Sequence, residues 1–113
     1  MTRIHTDHNG VYVNAISSLA DGTDVDGHLY QIQAGTQFTE LNFQRGGVVD
    51  NGVNGLTNEA LLAILIHRMN VLNKRFWSRE NERVISNLED SLAFLEVRTA
   101  RRIVRGVEGK EVA

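Results

Sequence analysis

Thr57-Asn-Glu-Ala-Leu-Leu-Ala-Ile-Leu-Ile-His-Arg-Met-Asn-Val-Leu-Asn-Lys-Arg-Phe-Trp77 decides the fold of the C-terminal half of this chain. Leu61, Leu62, Leu65, Met69, Leu72 and Phe76 recur at three- and four-residue spacing, which makes one apolar stripe of an α-helix. Ile64, Ile66 and Val71 widen the apolar surface beyond that stripe, so the helix needs cover on more than one side and burial in an oligomer is expected. Thr57 stands where an N-cap belongs, and Glu59 puts a carboxylate in the first turn, where the helix dipole favours it. Lys74-Arg-Phe-Trp77 is a tight connection, after which Ser78 caps a second helix carrying Glu80 and Glu82 in its first turn. Ile85, Leu88, Leu92 and Leu95 form the stripe of that helix, Val84, Phe94 and Val97 lie off it, and Gly106 ends it as a C-cap glycine. A connection this short predicts an antiparallel two-helix hairpin, with helices over about 58–75 and 79–105.

Ahead of the hairpin the pattern is that of strands and turns. Val11-Tyr-Val13 is β-prone, and Asp21-Gly-Thr-Asp-Val-Asp-Gly27 is turn-rich, with Asp26-Gly27 a favoured hairpin pair. Tyr30 and Ile32 alternate as in a half-buried strand, and Gly35 makes a second turn. Thr36–Gln44 is the next strand candidate, and the uneven spacing of Phe38, Leu41 and Phe43 suggests a bulge. Gly46-Gly47, Gly52 and Gly55 mark a flexible connection, and the first residues, with His5 and His8, are expected to fray. The fold class is therefore α+β: a small β-rich region over 1–55, then a helical region over 56–113 that oligomerises through its helices.

Composition narrows the function classes. At 113 residues, 42% apolar and 23% charged, the chain is one domain's worth of ordinary globular sequence. The absence of cysteine excludes disulfides and thiolate metal sites and permits a reducing cytoplasm. The longest apolar run, Ala60–Ile66, is too short to span a bilayer, and the N-terminus lacks a signal peptide's apolar core. A soluble cytoplasmic protein with no membrane partner is expected. Residues 1–55 carry two basic against six acidic groups, and residues 56–113 carry ten against eight, for a net charge of −2. Duplex DNA binding is not expected from such a balance.

The four histidines, His5, His8, His28 and His67, show no metal-ligand spacing. Asp24-Val-Asp26-Gly27 has a calcium-loop flavour, but Gly22 and Gln33 occupy the first and last ligand positions, which excludes it. There is no GxSxG, no P-loop and no cysteine nucleophile, so neither catalysis nor a cofactor is expected.

Positive charge concentrates instead at the end of the second helix. Arg98, Arg101, Arg102 and Arg105 occupy i, i+3, i+4 and i+7, and so share one face. Guanidinium groups match phosphate oxygens in a planar, bidentate way. The Gly106-Val107-Glu108-Gly109 exit offers backbone amides to the same anion, and Lys110 adds charge. The competing explanation is a solvated helix end whose dipole favours cations. Asn54-Gly55-Leu-Thr57-Asn58-Glu59 is a second polar constellation, at a helix N-terminus that suits an anion or hydroxyl. Phe38, Phe43, Phe76 and Trp77 flank it in sequence as stacking surfaces for bases, although Phe38 and Phe43 also suit a sheet core.

Three segments carry a family resemblance. They are Phe43-Gln-Arg-Gly46 followed by Gly52-Val-Asn-Gly-Leu-Thr-Asn-Glu-Ala-Leu-Leu-Ala63, then Ser78-Arg-Glu-Asn81, then Leu95-Glu-Val-Arg-Thr99 leading to Arg105-Gly-Val-Glu-Gly109. In order and spacing this set, over roughly residues 42–110, resembles the phage helical-hairpin family shared by the Thoeris anti-defence proteins and the anti-CBASS sponges. The β-rich segment resembles the Thoeris branch more closely. The resemblance implies a non-catalytic sponge that sequesters bacterial immune signals: cyclic ADP-ribose isomers, or cyclic di- and trinucleotides. It implies self-assembly as a dimer or hexamer with pockets between protomers, and a place in the bacterial host cytoplasm during phage infection. By position, Arg98, Arg101, Arg102, Arg105, Gly106, Val107, Gly109 and Lys110 would grip phosphates, while Phe43, Asn54 and Asn58 would lie by the other nucleotide pocket. Lys110 replaces the family's usual threonine and Trp77 a proline or small residue, which leaves the preferred cyclic nucleotide open. The rival reading is a structural or protein-binding helical hairpin with no nucleotide ligand.

Overall fold

A computed structural model describes residues 1–17 and 26–113. The chain divides into two compact units, Met1–Leu56 and Thr57–Ala113. The class is α+β: four antiparallel strands are followed by helices.

The first unit is a sheet of β1 (Thr2–Thr6), β2 (Tyr12–Ile16), β3 (Leu29–Ala34) and β4 (Gln37–Asn42), paired in sequence order. Cross-strand register assigns the faces, because opposed residues project to the same side. Val13 opposes Ile32, Ala15 opposes Tyr30, and Tyr30 opposes Leu41, so one face is apolar. The other is largely polar: Tyr12 Oη donates to Gln33 Oε1 at 2.6 Å, and the Arg3 guanidinium lies 3.9 Å over the Tyr12 ring. Tyr30 and Ile32 are half-buried, as their alternation implies.

Several expectations are corrected. The N-terminal residues do not fray but form β1, held by pairing with β2, which no local pattern announces. β4 pairs with β3 in unbroken register, so the uneven spacing of its aromatics has another cause. Phe38 projects to the polar face opposite Gln33 and is exposed, while Leu41 faces the apolar side; the register shift in this sheet lies between Arg3 and His5 of β1. The glycine-marked segment after β4 is also ordered by contacts. It holds the short helix α1 (Val48–Asn51) and returns to bridge Leu56 in parallel with Phe43. Gly55 permits that return: a Cβ there would sit 2.4 Å from the Phe43 carbonyl carbon. Of the turn-rich stretch, Asp21–Val25 lies outside the described residues; Ile16 pairs with Leu29, so residues 17–28 connect β2 to β3 in place of a two-residue turn.

The second unit is α2 (Asn58–Arg75) and α3 (Arg79–Val104), which pack against each other. Thr57 Oγ1 accepts from Ala60 N at 3.1 Å and Ser78 Oγ accepts from Asn81 N at 3.0 Å, so both helices start with a side-chain cap. Phe76-Trp77-Ser78 connects them, fastened by Asn73 Nδ2 donating to Glu82 Oε1 at 2.7 Å and Asn81 Nδ2 donating to the Phe76 carbonyl at 3.1 Å.

The residues of α3 withdrawn from solvent are Asn81, Ile85, Leu88, Leu92, Leu95, Thr99 and Arg102. Their steps alternate four and three, the repeat of a knobs-into-holes seam. In α2 the matching set is Leu62, Ile66, Met69 and Asn73, flanked by Leu61 and Leu72. Leu65 and Phe76, expected on the stripe, are exposed, and Ile66 takes the inward place. Among the described residues Ala15 and Ile85 are the buried apolar side chains, one in each unit. No helix among them is long and apolar enough to cross a membrane.

Candidate functional site

The seam fixes where the arginines of α3 go. At 100° per residue, Arg98, Arg101 and Arg105 fall together beside Phe94 and Val97, while Arg102 falls at the edge of the seam. A groove of about 340 Å³ results, lined by Phe94, Val97, Arg98, Arg101, Arg105 and Ala113, with Arg102 contributing. Phe94 is 76% exposed. Arg98 and Arg101 have no carboxylate partner among the described residues, and Arg105 Nη2 donates to the Ala113 carbonyl at 2.8 Å. Unpaired guanidinium groups beside an uncovered aromatic ring suit a ligand with both phosphate and base.

Arg102 differs from its neighbours. It is 6% exposed. Its Nε donates to Glu108 Oε2 at 3.0 Å, and Nη2 donates to the carbonyls of Val107 at 2.9 Å and Lys110 at 2.8 Å. Nη1 donates to the carbonyl of Val112. A buried cation is tolerable only with such a full set of partners.

The glycine exit closes on itself as well. Gly106, at φ 73°, lets the helix end in a Schellman motif: Gly106 N donates to Ile103 O at 3.0 Å and Val107 N to Arg102 O at 3.0 Å. Lys110 N donates to Val107 O at 3.1 Å in the turn that contains Gly109. Two of the amides expected to face an anion, those of Gly106 and Val107, are thus engaged inside the chain, because the helix's own last carbonyls compete for them. The Lys110 side chain is exposed.

The other sequence candidates divide between the units. Phe43 and Asn54 belong to the first. Phe43 is half-buried and meets Tyr30 edge-on, with ring centroids 5.7 Å apart at 88°. Asn54 is exposed, yet both ends of its carboxamide bond the backbone of Arg45. Asn58 is the first residue of α2, after its Thr57 cap, and is exposed. Sequence reasoning passed over Phe94 as merely off the stripe. Its spacing of four from Arg98 was the available signal, since such residues are neighbours on a helix. Among the described residues no three histidine or carboxylate side chains converge as a metal site would require.

Comparison with known proteins finds one similar over part of the chain. Thoeris anti-defense 1 of Bacillus phage SBSphiJ7 is 47% identical to the chain over 70 residues, an alignment that covers 61% of the chain. The chain is similar to that Thoeris anti-defence protein over the matched stretch. It spans about half the length of that curated Thoeris relative, with 49% covered. No family model matches it.

Proposed function

We propose that this relative of the Thoeris anti-defence proteins acts in phage anti-defence by binding and sequestering cyclic nucleotide immune signals without degrading them. The ligands proposed are cyclic ADP-ribose isomers, with cyclic di- and trinucleotides as the second class. The observation that carries this reading is the groove in which Arg98, Arg101 and Arg105 stand beside the uncovered Phe94 ring. Planar cations hold phosphate oxygens in pairs, and an aromatic face stacks a base. The Gly106–Lys110 stretch adjoins the phosphate end. The antiparallel hairpin assembles with copies of itself into a dimer or hexamer, and its exposed apolar residues support that: Ile64 and Val71 on α2, and Val97 and Val104 on α3.

Native mass spectrometry of the full chain with cyclic ADP-ribose isomers and cyclic oligonucleotides tests the reading. Expected are tight complexes of defined stoichiometry from which the intact nucleotide is recovered on denaturation. Linear products in the recovered ligand would replace sequestration with hydrolysis. Equal affinities for every nucleotide after Arg101→Glu and Arg105→Glu would favour a helical oligomer without a nucleotide ligand.

A further inference from the structure

α3 has 26 residues and α2 has 18. The Asn73–Glu82 bond ties their adjoining ends, so the surplus length of α3 lies at its C-terminal end. The inward seam nevertheless continues through Thr99 to Arg102. At that last position the cover is not apolar. It is the chain's own Val107–Val112 segment, whose carbonyls at Val107, Lys110 and Val112 all accept from one guanidinium. An apolar residue at this place would take the guanidinium donor from all three carbonyls and leave Val107 O with the Lys110 amide alone. A lysine, with one ammonium nitrogen, would not reach all of them in the fork geometry. The segment so held carries the chain to Ala113, which lines the groove together with Phe94, Arg98 and Arg101. Arg105 is tied to it through the Ala113 carbonyl.

We propose that Arg102 is a positioning residue of the nucleotide site: it does not touch the ligand but holds the Val107–Val112 segment so that Ala113 lines the groove. This rests on the sequestration reading above. Four of its five N–H groups are already engaged, and its burial keeps an incoming phosphate away from it. The arginines that meet phosphate are then Arg98, Arg101 and Arg105.

The test compares Arg102→Met, Arg102→Lys, Glu108→Gln and Arg101→Gln in the full chain, with cyclic ADP-ribose and cyclic triadenylate as probes. Amide hydrogen exchange without ligand is read first. For Arg102→Met, exchange across 107–112 rises to the rate of an open segment while amides over 85–99 stay protected, and Arg102→Lys falls between it and the wild type. Affinity then drops about tenfold or more, the scale of one or two lost hydrogen bonds. The slope of log affinity against log salt stays at the wild-type value, because no phosphate contact has gone. Arg101→Gln does the reverse, lowering the slope by about one while leaving the exchange of 107–112 unchanged. Glu108→Gln, which takes the charge from one partner at an exposed position, moves the exchange of 107–112 in the same direction as Arg102→Met by a smaller amount. It keeps the test decisive should Arg102→Met fail to fold. A lowered salt slope with unchanged exchange for Arg102→Met overturns the proposal in favour of direct contact. Raised exchange with unchanged affinity also overturns it, leaving sequestration intact. No binding of either probe or any other cyclic nucleotide by the wild type overturns the sequestration reading, and the positioning role with it.

Discussion

Asn54 holds the Arg45 peptide from both sides, its Oδ1 accepting from Arg45 N at 2.8 Å and its Nδ2 donating to Arg45 O at 2.9 Å. The pairing mimics a pair of strand hydrogen bonds and ties the end of the loop to its beginning. Gln44 reinforces it, accepting from Asn54 N at 2.9 Å and donating to Gly52 O at 2.8 Å. The glycines around this clasp supply backbone freedom, but the bonds decide the conformation.

Replacing Asn54 by alanine removes both bonds at once. Because the site is exposed and water compensates in part, the expected cost is about 1–2 kcal/mol. Asn54→Asp costs as much or more, since a carboxylate oxygen then faces the Arg45 carbonyl. Urea denaturation monitored at the tyrosines of the sheet measures both.

The helix caps give a prediction confined to the second unit. Thr57→Ala and Ser78→Ala each remove an oxygen that accepts a first-turn amide, at an expected cost of about 1 kcal/mol. Ser78→Ala has the larger effect, because Ser78 is less exposed than Thr57. Thermal unfolding followed by helical circular dichroism is the measurement, and restoring an oxygen with Ser78→Asp should recover most of the loss.

Phe94 separates binding from stability. At 76% exposure it contributes little to packing, so Phe94→Ala should change unfolding free energy by less than about 0.5 kcal/mol. If a base stacks on the ring, affinity for a cyclic nucleotide falls by about 5- to 150-fold, and Phe94→Tyr retains it. Titration calorimetry paired with a melting curve reads both quantities on the same sample.

The α2 face tests assembly. A groove of about 720 Å³ runs along Ala63, Ile64, His67, Arg68 and Val71, and its lining is both apolar and basic. Ile64→Glu puts a charge where a neighbouring copy is proposed to pack, and the expected outcome is a smaller species by light scattering at unchanged helicity. Glu89→Lys on α3 serves as the control for added surface charge; it should leave the size unchanged.

Some of this architecture is local and therefore readable in the chain itself. Thr57, Ser78 and Gly106 mark helix ends because a cap is a bond between near neighbours, and Tyr30 and Ile32 declare a strand face because side chains alternate wherever a strand forms. The arginine cluster was equally plain as a concentration of charge. Its division was not. A stripe of period 3.6 is wide enough to admit Leu65 or Ile66, and to put Arg98, Arg101, Arg102 and Arg105 on one broad face. Only the line of contact between α2 and α3 turns Ile66 inward, leaves Leu65 out, and draws Arg102 away from its three neighbours into the seam. β1 and the Asn54 clasp depend in the same way on partners distant in sequence, so their order came with the tertiary contacts. Residue type and spacing settled where the elements begin and end and where charge gathers. Packing settled which side chains remain available, because burial is a property of what lies opposite.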